Sequence, residues 1–397
     1  MPLREHHRQF AASMAHTDVD RSGADRPGAD RAELAGGEPE YIHWGPDDSA
    51  VETTVLATVG SVELEYAAIR RGVGLIDASQ RGVVQLSGAD RLDLLGRLLT
   101  QELKHLGPGH AASAFLLQRT GRIIADLLVI AQDDTILLDC DRCDVDQVAA
   151  AVEAMIFAED VQVQIAPDWS VVEVHGPGLG TLLKSAGGSL PQVGESKPIE
   201  LGEARCIIAR LDTTSETGIR IYVPTGLLPN VWQQLHDSGR EACEACRTVG
   251  WFAFNMARVE AGTPWWNVDF GSTNLPHETG VLDSRVSFTK GCYPGQEVVA
   301  RMQNLGHPKQ VVRMLSMPDT RLPIAGGQVF AGNESSPGDP IGAVTSSAPA
   351  PLRGGSTVAI ATIRWANASP GTLVSVVADG ELVHTEVREL RPEEPQS

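Results

Sequence analysis

The residue types best able to do chemistry stand together in Lys290-Gly291-Cys292-Tyr293-Pro294-Gly295-Gln296-Glu297. Pro294 suits the first position of a helix, and Gln296 and Glu297 suit its first turn. The run from Glu297 to Asn304 continues as a helix. Cys292 therefore falls just ahead of a helix N-terminus, where the positive end of the dipole and a nearby Lys290 favour a thiolate. A cysteine so placed is a candidate nucleophile or soft-metal ligand; the alternative is a small buried residue capping the helix. Gly291 and Gly295 permit positive φ or a close approach of backbone to a ligand.

A second candidate is a carboxylate inside an apolar run. Arg122 to Ile130 reads as a strand, and alternation places Asp126 on the face of Ile124, Leu128 and Ile130. Buried there it needs a partner; on an edge strand it would face solvent. Two Cys-x-x-Cys pairs, Cys140/Cys143 and Cys243/Cys246, carry the ligand type of a zinc site. They are too far apart for a zinc module, and no metal site is expected. Gly176-Pro177-Gly178-Leu179-Gly180 lacks the P-loop lysine and misses the dinucleotide spacing, so it reads as a turn beside a structural His175. No Gly-x-Ser-x-Gly elbow is present.

The elements that must position these groups follow from periodicity. Residues 1–45 are polar and aperiodic and are expected to be disordered. Helix is expected over 63–71, strand over 82–86, helix over 89–100, strands over 114–118, 122–131 and 135–140, and helix over 145–157. The pattern then restarts. Val84-Gln85-Leu86-Ser87-Gly88 is echoed by Val172-Glu173-Val174-His175-Gly176, and a leucine pair follows each run, Leu94-Leu95 and Leu182-Leu183. Strands over 205–211 and 218–223 and a helix over 227–238 complete the second copy. Beyond about residue 308 only short strands separated by Gly and Pro remain, the mark of a small β-barrel. The expected fold is α+β: a first unit over 46–166, a second over 167–308 bearing the cysteine motif, and a C-terminal β-barrel over 309–397.

Composition narrows the function classes. With 51 acidic and 32 basic side chains among 397 residues, the formal charge of −19 repels phosphate backbones and argues against broad nucleic-acid binding. A hydrophobic fraction of 42% suits large cores, and no apolar run is long enough for a membrane span. Six cysteines without an export signal point to a reducing cytoplasm.

The stretch from Ala257-Arg258-Val259-Glu260-Ala261-Gly262, through Asn274-Leu275-Pro276-His277-Glu278-Thr279-Gly280, to Ala300-Arg301 resembles the YgfZ family. Every fixed position of that family's K-G-C-Y-x-G-Q-E pattern is met. The family is a branch of the group containing the aminomethyltransferase (T-protein) of the glycine cleavage system. The resemblance implies two antiparallel-sheet, ferredoxin-like units and a barrel closed around a central folate channel. It implies tetrahydrofolate as cofactor, iron–sulfur client or assembly proteins as partners, and a monomer. By the same resemblance Cys292 is the functional residue, Glu260 the carboxylate for the pterin, and Asp139 a folate contact. Asp126 stands where the transferases carry two adjacent acids; here Ala125 precedes it, so one acid is missing. Arg285 and Lys290 are the local cations for an anionic tail, and Trp265, Trp266 and Tyr293 could flank a flat ring. The complete Lys290-to-Glu297 motif favours a folate-dependent maintenance factor for iron–sulfur enzymes; the alternatives are a one-carbon enzyme (aminomethyltransferase or demethylase) and a folate-binding scaffold in which Cys292 has no chemistry.

Overall fold

The computed structural model describes residues 3–9, 38–46, 53–243, 245–332 and 338–390. In chain order its elements begin with β1 (Glu40–Trp44), β2 (Thr53–Thr58), α1 (Val62–Arg71) and β3 (Val73–Asp77). Then come β4 (Arg81–Ser87), α2 (Arg91–Leu98), β5 (Ala111–Leu117), β6 (Ile123–Ala131), β7 (Thr135–Asp141), α3 (Val145–Glu153) and β8 (Gln162–Ile165). The pattern repeats as β9 (Trp169–His175), α4 (Leu179–Ser185), β10 (Ser196–Leu201), β11 (Ala204–Arg210), β12 (Gly218–Pro224), α5 (Leu228–Ala242) and β13 (Cys246–Thr248).

The echo in the sequence is an echo in topology. The first sheet has the order β5-β6-β7-β4-β8, and the second has β10-β11-β12-β9-β3-β13. Apart from β3, each strand of one sheet has its counterpart in the other. Helices cover one face of each sheet for the same reason. Leu94, Leu95 and Leu98 of α2 and Val148 and Val152 of α3 are buried in one core with Val84, Leu127 and Leu138. Leu182 and Leu183 of α4 and Val231, Trp232 and Leu235 of α5 share another with Val172, Ile208 and Ile221.

Two expectations need correction. β3 lies in the stretch assigned to the first unit, yet it pairs antiparallel with β9 and parallel with β13 in the second sheet. Tyr66 and Ile69 of α1 likewise pack with Val249 and Phe254, so the first unit proper begins at β4. The tail over 1–45 is also partly built. Residues 4–9 are helical, and Leu3 and His7, one helical turn apart, are fully buried. The His7 ring meets Trp232 edge-on with centroids 5.6 Å apart. β1, also in that stretch, pairs with β2. Residues 1–2 and 10–37 of the expected tail lie outside the described residues.

A connection carrying α6 (Trp251–Ala261), α7 (Leu282–Arg285) and α8 (Gln296–Leu305) leads to strands β14 (Gln310–Ser316), β15 (Gln328–Ala331), β16 (Pro340–Ala350), β17 (Ser356–Arg364), β18 (Leu373–Ala378) and β19 (Glu381–Arg388). These close a barrel in the order β14-β17-β16-β15-β18-β19, with β14 pairing back to β19. The barrel clamps the connection. Buried Arg258 on α6 bonds Asp269 at 2.6 Å and Ser346 on β16 at 2.8 Å. Among the described residues no helix is long and apolar enough to cross a membrane.

Candidate functional site

The two sheets meet through their helix-free faces, and strand alternation decides what each face presents. Val83, Leu128, Leu137, Val171 and Tyr222 fill the apolar part of this contact. Two residues along the same strands, on the same faces, stand Arg81, Asp126, Asp139, Glu173 and Arg220. The interface therefore changes from apolar to charged along its length, and a cleft opens at the charged end.

About 1210 Å³ of space free of protein atoms lies in this cleft and at its mouth. Its walls include Arg81, Asp126, Arg210, Asp212, Arg220 and Arg285, with Trp265 and Trp266 closing one side. The two tryptophans arrive there because α6 ends at Gly262, whose φ of +76° forms a left-handed cap that turns the chain. Arg285 comes from α7 and donates from Nε to Asp126 at 3.1 Å.

Asp139 sits beneath the floor, fully buried, and holds the two sheets together. Arg81 Nε donates to its Oδ1 at 2.7 Å, while Arg220 Nη1 and the Tyr222 hydroxyl donate to its Oδ2 at 2.8 and 2.6 Å. Arg220 Nε also donates to Glu173 at 2.7 Å, and His175 Nε2 lies 3.2 Å from the other Glu173 oxygen. Burial opposes charge on Glu173, but the Arg220 guanidinium and the His175 contact outweigh it and lower the carboxyl to about 2. Burial likewise opposes charge on Arg220, and Asp139 and Glu173 outweigh it, holding the guanidinium protonated. Burial and the neighbouring Asp139 push the Tyr222 phenol up.

The lowered Glu173 carboxyl makes folding stability depend on pH. Its native value lies below the unfolded 4.5, so its contribution, about 3 kcal/mol, is present above pH 4.5 and is lost as pH falls through about 2. Denaturant titrations of wild type and Glu173→Gln should show a stability gap that narrows steadily below pH 4.5. A gap that stays constant from pH 7 to 3 would refute the assignment.

Of the residues read from the sequence, the structure brings Asp126, Arg285, Trp265 and Trp266 to the cleft, with Asp139 directly behind its floor. The others lie elsewhere. Glu260 is buried and does not line the cleft; it accepts from the Tyr66 hydroxyl, from Arg70 Nη2 at 2.6 Å and from the Leu352 amide at 2.8 Å. Lys290 is also buried, and its ammonium donates to the carbonyls of Gly96 at 2.8 Å, Leu99, and Gln101 at 3.0 Å. It thus satisfies the C-terminal end of α2, and burial lowers it to about 8. Tyr293 packs in the core between the connection and the barrel, with the Lys290 ammonium 5.3 Å from its ring centre. Burial pushes its phenol to about 12.

Cys292 is exposed and is not part of the cleft lining. The helix after it starts at Gln296 rather than at Pro294. Gly295 at its cap has φ +79°, and a Cβ there would stand 2.6 Å from the Gln118 carbonyl oxygen. Gly291 has open space around it, so only the second motif glycine is required by geometry. Burial pushes up the thiols of Cys140, Cys243 and Cys246, the last to about 12, and no group of three or more His, Cys, Asp or Glu converges for a metal among the described residues.

Arg81, Glu173 and Arg220 went unnoticed as site residues in the sequence, although a signal was there. Glu173 lies between Val172 and Val174, and Arg220 between Ile219 and Ile221. Such runs mark strands buried on both faces, where a charge must find a partner.

Residues 52–290 match the model of the GCVT N-terminal domain family. An aminomethyltransferase of Streptomyces avermitilis is 29% identical over 321 residues, covering 79% of this chain and 84% of that protein. One from Bacillus subtilis is 26% identical over 335 residues, covering 82% and 89%. The crystal structure of the glycine cleavage system aminomethyltransferase T from Bartonella henselae superposes with a TM-score of 0.76 at 23% identity, covering 85% of this chain and 91% of that one. At that identity the likeness establishes a shared fold.

Proposed function

The chain belongs to the GCVT N-terminal domain family, and from that premise we propose that it binds tetrahydrofolate in the cleft between its two sheets and acts on a one-carbon unit carried there. The observation that carries this reading is the cleft itself, which is lined by the Asp126–Arg285 pair and by two tryptophans. The space suits a ligand of drug size with a flat ring and an anionic tail. Trp265 and Trp266 would contact the ring, and Arg210 and Arg285, cations of the cleft wall, would receive an anionic tail. Bound tetrahydrofolate would supply a ring nitrogen that accepts or carries the one-carbon unit. Asp126, held in place by Arg285, is the protein's carboxylate for a proton or a cationic centre at that point. The names of the relatives favour aminomethyl transfer as the reaction class.

Calorimetric titration with tetrahydrofolate tests the site. Saturable binding by wild type is expected, weakened roughly tenfold or more in Arg285→Ala. Glu260→Gln should leave the affinity unchanged and lower stability by about 2 kcal/mol, because it disturbs Arg70 and Tyr66 rather than the cleft. Folded wild type that fails to bind would end the proposal. Release of ammonia from an aminomethyl donor in the presence of tetrahydrofolate tests the reaction.

A second reading rests on the exposure of Cys292 within a motif of the YgfZ type, outside the cleft. On this reading folate binding serves the assembly or repair of iron–sulfur enzymes, and Cys292 acts on a partner rather than on the bound folate. Intact folate binding without turnover, together with reduced iron–sulfur enzyme activity in cells carrying Cys292→Ser, would select it over transfer. Unchanged activity in those cells would leave a folate-binding scaffold.

A further inference from the structure

Four guanidinium groups, Arg81, Arg210, Arg220 and Arg285, line the cleft with two carboxylates, Asp126 and Asp212. Its carboxylates are already held by guanidinium groups: Asp126 by Arg285, and Asp212 by Nε and Nη2 of Arg210 at 2.6 and 2.9 Å with the Gly218 amide at 2.8 Å. Behind the floor, Asp139 is taken by Arg81, Arg220 and Tyr222, and Glu173 by Arg220. A pterin that presented its amino edge to this wall would meet acids that already carry an arginine.

Two cations of the cleft, Arg81 and Arg220, are nearly buried, and of these Arg220 lies beside the Trp265 ring. Its Nε and Nη1 are fixed on Glu173 and Asp139, and its guanidinium carbon lies 5.8 Å from the centre of the Trp265 ring. The side chain is 6% exposed, and the residue lines the cleft. Its remaining nitrogen, Nη2, bonds no group among the described residues. A nearly buried guanidinium with two arms locked and one arm open is a preorganised donor, and the group that satisfies it must be an acceptor.

We infer that Arg220 determines specificity in this cleft: its Nη2 donates to the 4-oxo oxygen of the ring, so the heterocycle enters with its acceptor edge toward the wall formed by Arg220 and Trp265. The inference rests on the folate reading above and goes beyond it, because it fixes which edge of the ring is read and by which residue. An analogue that replaces that oxygen by a donor would leave Nη2 unpaired and set an amino group against a cation.

The probe pair is tetrahydrofolate and its 4-amino-4-deoxy counterpart, reduced aminopterin, each titrated calorimetrically into the full chain. The 4-amino compound should bind wild type on the order of tenfold to a hundredfold more weakly. In Arg220→Gln, whose amide can either donate or accept, the ratio should fall toward unity. Arg220 also holds Asp139 and Glu173, so where that variant does not fold, the wild-type ratio alone decides. Equal or tighter binding of the 4-amino compound by wild type overturns this inference while leaving the folate site standing. Failure of both compounds to bind overturns the folate reading and this inference together.

Discussion

Replacing Asp139 by alanine is expected to cost about 3–5 kcal/mol of folding stability, the largest effect of any single substitution at the site. The carboxylate is fully buried and serves Arg81 from the first sheet and Arg220 and Tyr222 from the second. Its removal leaves two guanidinium groups close together without their shared counterion. Like charges in a poorly solvated space repel, and each also loses charge-assisted hydrogen bonds. Asp139→Asn should fall between the two, since an amide keeps one acceptor and adds a donor that faces arginines. Equilibrium denaturation in urea provides the measurement. A loss under about 1 kcal/mol would mean that water solvates the cluster well enough to make the pairing incidental. Because Arg220 lines the cleft, ligand affinity should fall together with stability.

Lys290→Met should be the second largest effect, and it separates two roles that the sequence leaves entangled. A cation for a ligand tail would cost affinity when removed and leave the melting temperature alone. The structure gives the opposite expectation. Three carbonyls from Gly96, Leu99 and Gln101 converge on the ammonium, and methionine offers none of them a donor. A loss of about 3 kcal/mol follows from hydrogen bonds to a charged group at a buried helix end, or on the order of 4 °C in melting temperature. Tetrahydrofolate affinity should stay within about twofold, because Lys290 is not among the cleft residues. Unchanged melting with lost affinity would return Lys290 to the binding site. Cys292→Ser, at an exposed position two residues on, should leave both quantities alone.

Local pattern carried much of the fold. β11 and β12 lie within one residue of the strands expected over 205–211 and 218–223, and most other predicted elements agree with the structure to within a few residues. The echo between Val84–Gly88 and Val172–Gly176 marks a true repeat. Both runs are strands at equivalent places in their sheets, and both glycines take positive φ, +101° and +133°. These features are legible because alternation, helical period and turn chemistry are properties of neighbouring residues.

The site was legible only in part. Asp126 declares itself as an acid in an apolar strand, and Arg285 and the Trp265–Trp266 pair lie within about thirty residues of the cysteine motif. Glu260 and Lys290 look equally functional in one dimension, since a carboxylate and an ammonium beside glycines carry no label for burial. Their partners settle the matter, and those partners are remote: Arg70 is 190 residues from Glu260, and Leu99 is 191 from Lys290. The insertion of β3 between β9 and β13 was hidden for the same reason, since strand pairing is a contact between distant segments. By itself the sequence determined the strands, the repeat, the barrel and the parity that turns Arg81, Asp139, Glu173 and Arg220 toward one side of their sheets. Only the tertiary structure decided that those sides face each other, because the packing of one sheet on another sets which buried charges meet, and no local spacing records it.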